Sequence, residues 1–285
     1  MEVLNAEIQL IDHHHQMGGA YANVWRGQYM AQDNSSIQLV AVKVPRGACI
    51  QYHGVQREHA KNLIECFVAK AKAWSDLSHP HIVEILGVFT DTTITGTPGV
   101  VTYYRPLGNI ANFLRDRHAV NKLVLVKGIA EGANYLHLKH IIHGNLTRGN
   151  ILIHQEGEEF IPQIAYCTFT RTDEVSTTDT ILFTVSRRTP PELLGAENPT
   201  TAMLSRETDI YAFAMLALEV VTGKPPFYNC TDLHAALLVA GGSMPLRHQY
   251  ASYAEFSDAF WGLLERCWNA NPLDRLTMDE VCRLL

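Results

Sequence analysis

The sequence predicts an α+β fold in which a small, strand-rich N-terminal part with one helix precedes a larger helical part. Three observations predict it. Up to about Tyr104 the apolar residues come in short runs broken by glycine and polar clusters, the pattern of strands. Inside that region one stretch, from about Gln56 to Leu77, sets Leu63, Phe67, Ala71 and Trp74 at helical steps. Beyond Tyr104 the apolar spacing becomes three-to-four residues. A chain of 285 residues, 47% of them hydrophobic, can bury a sizeable core as one large domain or two closely packed lobes.

Each element follows from its own pattern. "EIQLI", "NVWRGQYM", "IQLVAVKV", "HIVEILGVF" and "GVVTYY" predict five strands, with the helix ending in "WSDL" falling between the third and fourth. In "LVLVKGIAEGANYLHLK", Leu123, Val126, Ile129, Ala133 and Leu136 predict a helix. "TDIYAFAMLALEVVTG" predicts a second, stopped by Gly223 with Pro225 just beyond. Repeats and low-complexity linkers are absent from the sequence.

Composition narrows the function. A formal charge of -6 and a pI near 6.1 leave no basic excess, which argues against nucleic acid and acidic membrane as partners. The six cysteines form no C-x-x-C pair and several lie in apolar runs, which predicts reduced core thiols and a cytoplasmic location. No apolar run reaches the roughly 18 residues of a membrane span, and the N-terminus lacks a signal-like apolar core.

A series of motifs then appears in a fixed order: "VAVK" ending at Lys43, "LSHPHIVEILG", "HGNLTRGNILI" from His143, "PPELL" from Pro190, "TDIYAFAMLALEVVTGKPPF" around Asp209, and "CWNANPLDRLTM" containing Arg275. Together they resemble a protein kinase domain over essentially the whole chain, with a local flavour closest to the tyrosine-kinase-like group. The resemblance implies a bilobal kinase-like fold: residues 1–104 as a small antiparallel-sheet lobe of five strands and one helix, and 105–285 as a large helical lobe. It also implies an ion pair between Glu192 and Arg275, and a nucleotide site made by Gly19, Val24, Ala41, Lys43, Thr102 and Tyr104. Thr102 takes the gatekeeper position, and Tyr103 and Tyr104 offer hinge backbone to adenine.

The parts that move a phosphoryl group depart from the family pattern. Asn145 stands where the family has the aspartate that deprotonates the substrate hydroxyl; an amide accepts a hydrogen bond but takes no proton at neutral pH. Asn150 matches the metal-holding asparagine, whereas "YCT" replaces D-F-G, placing Tyr166 at the metal-binding aspartate, Cys167 at the phenylalanine and Thr168 at the glycine. A neutral phenol is a poor ligand for a hard dication, so the resemblance implies no magnesium site. Asn145, Asn150 and Tyr166 are therefore read as vestigial catalytic positions.

Lys70 aligns with the glutamate that normally pairs with Lys43, which turns an attraction into a repulsion. Glu65, five residues away, lies about 140° round the helix and cannot take its place. The glycine-rich stretch "MGGAYA" keeps only Gly19 in register, and Gly144 replaces the arginine that reads an activation-segment phosphate, leaving Arg148 as the stand-in to consider. "HHH" at His13 to His15 is read as alternating side chains at a strand end.

The function expected from these residues is that of a catalytically impaired kinase-like domain, a pseudokinase that binds a protein partner such as an active kinase or a client. ATP is the expected small ligand, bound weakly and without metal, its phosphates met by Lys43 and Lys70. The alternative is a slow or unconventional ATP-dependent serine/threonine kinase, in which the same residues would sustain residual turnover.

Overall fold

Strand pairing follows directly from the alternation along residues 37–45. The computed structural model describes residues 1–11, 22–30, 36–46, 67–95, 97–115, 117, 119–167, 170–172, 186–194, 204–250 and 257–285. Within them the chain divides into two compact units, Met1–Pro106 and Leu107–Leu285. The first unit holds β1 (Ile8–Leu10), β2 (Ala22–Met30), β3 (Ile37–Pro45), β4 (Ile85–Phe89) and β5 (Gly99–Tyr103). They form one antiparallel sheet in the order β1-β2-β3-β5-β4. In β3, Val40, Val42 and Val44 are buried and cluster with Leu4, Ile8, Phe89 and Val101, while Ala41 and Lys43 turn to the opposite face and are only half-buried. Each buried valine is worth about 1.5–3 kcal/mol relative to exposure, so a slip by one residue would forfeit the cluster.

Residues 67–75 are the described part of helix α1, which buries Phe67, Ala71 and Trp74 at the spacing expected of one face. The indole Nε1 of Trp74 donates to the Val83 carbonyl at 3.0 Å, fixing the helix to the chain that leads into β4. A one-turn helix α2 (Thr92–Thr95) follows β4. The strand predicted from His81 begins only at Ile85, because His81 to Glu84 run as an irregular connection between α1 and β4.

The second unit contains α3 (Ile110–Arg115), α4 (Lys122–Leu138), β6 (Ile141–Ile142), β7 (Ile151–Glu156), β8 (Glu159–Ile164), β9 (Arg171–Thr172), α5 (Pro191–Leu194), α6 (Arg206–Thr222), α7 (Asp232–Ala240), α8 (Asp258–Cys267) and α9 (Met278–Leu284). Helix α6 is the hub, packed by α3, α4 and α8 and buried on every side from Thr208 onward except at Ala212. Its start is set by a capping box in which the Ser205 hydroxyl accepts from the Thr208 amide and the Thr208 hydroxyl accepts from the Ser205 amide. Its end falls at Gly223, whose φ of 71° lies in the left-handed region. Helix α4 begins where the Asn121 side chain accepts from the amides of Leu123 and Val124.

Candidate functional site

In the first unit the strand register gathers four of the expected nucleotide residues. Val24 lies directly opposite Lys43 on β2 and β3, and Ala41 lies opposite Thr102 on β3 and β5. Opposed residues of an antiparallel pair share a face, so Val24, Ala41, Lys43 and Thr102 lie on the face opposite the valine core. Tyr104 extends this edge, but its amide donates to the Leu39 carbonyl at 3.0 Å. That amide proton is therefore engaged within the sheet and is not offered to a ligand. Lys70 is half-buried on α1, on the flank of the stripe formed by Phe67, Ala71 and Trp74. Gly19, the run His13 to His15, and Glu65 lie outside the described residues.

In the second unit the loop between β6 and β7 is organised by one buried carboxylate. Asp209, 1% exposed in the first turn of α6, accepts from the amides of His143 and Gly144, each at 2.8 Å, and from His137 Nε2 at 3.1 Å. Gly144 has a φ of 75°, a conformation open to glycine and strained for arginine. His143 is fully buried: its Nδ1 accepts the Asn145 amide at 3.1 Å, which assigns the ring proton to Nε2, 3.1 Å from the Ala165 carbonyl. Asn150, also buried, donates from Nδ2 to the Asn145 carbonyl at 2.9 Å and tightens the 3-10 turn Arg148–Asn150. The shape of the loop thus rests on backbone contacts that the Asn145 side chain does not enter.

Beyond β8, Tyr166 is 2% exposed and its hydroxyl is buried. Cys167 follows, 4% exposed, its thiol donating to the His143 carbonyl at 3.1 Å. Thr168 lies outside the described residues. Arg148, considered above as a phosphate reader, is instead engaged with Glu219, 3.0 Å from Nη1 to Oε1. Arg188 holds the other oxygen of that buried carboxylate. The pairing of Arg275 with Glu192 is bidentate at 2.7 and 2.8 Å, and Arg275 also donates to the carbonyls of Asn269 and Glu207. Among the described residues, no three His, Cys, Asp or Glu side chains come together in a way that could hold a metal ion.

The family model described as protein tyrosine and serine/threonine kinase matches residues 11–285. The chain belongs to this family. Members of the family bind ATP in general. Several of its relatives are distant. R831 of Acanthamoeba polyphaga mimivirus, named for a serine/threonine-protein kinase/receptor, is 28% identical over 94% of this chain and 15% of its own length. The serine/threonine/tyrosine-protein kinase HT1 of Arabidopsis thaliana is 26% identical over 94% of this chain and 63% of its own length. The serine/threonine-protein kinase STY17 of the same plant is 24% identical over 94% and 42%. The chain therefore spans less than two thirds of these kinases. No helix among the described residues is long and apolar enough to cross a membrane.

Sequence reasoning located the kinase loop but missed what holds it. In sequence Asp209 stands out only as part of the run that forms α6, and His137, Arg188 and Glu219 carry no motif. The available signal was a carboxylate inside the apolar run of the helix near each end, at Asp209 and Glu219, where an unpaired charge would be costly to bury.

Proposed function

We propose that this kinase domain works as a pseudokinase: it binds a protein partner, such as an active kinase or a client, and takes ATP weakly and without metal. The observation that carries the reading is the pair Asn145 and Tyr166, an amide and a buried phenol where phosphoryl transfer needs two carboxylates. Loss of general-base catalysis alone lowers a rate by about 10² to 10⁴. A buried phenol is also a poor fit for magnesium, which favours octahedral oxygen ligands and charged carboxylates. Asn150, the remaining metal-binding position, donates from Nδ2 to the Asn145 carbonyl, and a single neutral amide oxygen is a weak ligand set for magnesium. In this reading Lys43 and Lys70 together supply the positive charge for the phosphates. Val24, Ala41 and Thr102 line the base side, next to the hinge backbone at Tyr103 and Tyr104.

Two measurements test it. In a thermal-shift titration ATP raises Tm equally with magnesium and with EDTA, and Lys43→Ala removes the shift; a strict need for magnesium overturns the metal-free site. In a radiolabelled phosphate-transfer assay the chain and Lys43→Ala give the same background. Robust turnover abolished by Lys43→Ala would instead support the second reading, a slow serine/threonine kinase, which is favoured by the retained sheet face around Lys43.

A further inference from the structure

The first residues of the chain form more than a lead-in to β1. The Leu4 amide donates to the Val88 carbonyl at 2.9 Å and the Val88 amide donates to the Glu2 carbonyl at 3.0 Å, a parallel pairing of Val3 with Val88 along the outer edge of β4. One residue further on, Asn5 and Thr90 clasp each other: Asn5 Nδ2 donates to Thr90 Oγ1 at 2.9 Å, and the Thr90 amide donates to Asn5 Oδ1 at 2.7 Å. Side chains alternate as in a true strand, with Val3 54% exposed and Leu4 1% exposed within the valine cluster. Gly87 is the complement of this segment. A Cβ there would lie 2.6 Å from the Glu2 carbonyl oxygen and 2.7 Å from Leu4 Cδ1, and the β4–β5 register shifts between Ile85 and Gly87. β4 thus carries a notch cut to the size of one large aliphatic side chain, flanked by main-chain donors and acceptors and by a threonine that reads an amide.

We propose that the outer edge of β4 is a strand-receiving peptide site, held closed in cis by the chain's own Glu2–Asn5 segment. Its ligand class is an extended segment lying parallel to β4, with a leucine-sized side chain for the Gly87 notch followed by asparagine for Thr90. Main-chain hydrogen bonds supply affinity, and the notch and Thr90 supply selectivity. The cis strap also covers a sheet edge that would otherwise invite adventitious pairing.

The test compares the full chain with a variant lacking residues 1–5, using a fluorescent synthetic peptide of residues 1–7 as probe. The shortened chain binds the peptide with a Tm increase, a Leu4→Ala peptide binds about tenfold more weakly or worse, and the intact chain does not bind. No binding by a folded shortened chain, or equal binding by the intact chain, overturns the proposal. Gly87→Ala gives a second reading that needs no truncation. In the intact chain it lowers Tm and speeds hydrogen exchange at the Leu4 and Val88 amides. Where the shortened chain folds, the same substitution lowers its Tm less than in the intact chain, because the three atoms nearest the added Cβ all belong to the strap. Unchanged exchange at Leu4 and Val88 in intact Gly87→Ala overturns the proposal even if the shortened chain fails to fold.

Discussion

Asp209 shows how one side chain can define a loop it does not belong to. It is 1% exposed and accepts from two amides and an imidazole, so deleting it orphans several buried donors at about 1–3 kcal/mol each. Asp209→Ala is expected to cost about 3 kcal/mol or more in urea denaturation; a loss below about 1 kcal/mol would mean the loop has another anchor. Gly144 carries a related constraint. Its φ of 75° means that Gly144→Arg, the change to the residue that the kinase resemblance implies here, is expected to destabilise by about 1–2 kcal/mol, detectable as a lower denaturant midpoint. The glycine was legible in the sequence as a missing charge. Its backbone role was not, because a dihedral angle depends on where the Asp209 carboxylate pulls the neighbouring amides.

Among the elements, α6 and β3 were the most legible and for different reasons. β3 announces itself by alternation, and the same alternation divides its residues between core and candidate nucleotide face. Helix α6 announces itself by length, apolar content and the glycine after it. That it is buried all round follows only from the helices packed against it, since apolar residues on every side suit either a hub or a membrane span. Gly223 offers a clean test. A Cβ built there meets nothing within 4 Å, so Gly223→Ala would cost only the left-handed backbone strain, about 1 kcal/mol in a denaturant titration. A neutral result would show that the chain leaves α6 by another conformation. α1 was legible as a helix from Phe67, Ala71 and Trp74, whereas its tie to Val83 depends on a connection that reads as a strand in sequence and is irregular in the fold.

At the scale of the molecule, buried ionisable groups tie stability to alkaline pH. Burial pushes the Cys267 thiol up from 9.0 to about 12, against smaller opposing effects of Arg266 and Arg275. Burial likewise pushes the Tyr250 hydroxyl up from 10.0 to about 12. Both folded-state values exceed the unfolded ones, so the stabilisation is complete below about pH 9 and is lost as pH rises from there towards 12. The denaturant midpoint is therefore expected to fall between about pH 9 and pH 11, with Cys267→Ala flattening the early part of the decline. A midpoint flat across that range would show that these groups are hydrated in the native state. The Glu192–Arg275 pair was legible from the order of motifs. The convergence of Arg148 and Arg188 on Glu219 was not, because it joins three segments that are far apart in the chain.

Periodicity, stop signals and ordered motifs were enough by themselves to determine the two textures of the chain and its family. These are local properties, written in residue identity and spacing. Only the tertiary structure decided that Asp209 holds the His143 loop, that Arg148 is spent on Glu219, that the Tyr104 amide belongs to β3, and that Leu4 fills the space left by Gly87. Each of these depends on which distant backbone or charge arrives within about 3 Å, a matter of packing that one-dimensional spacing does not encode.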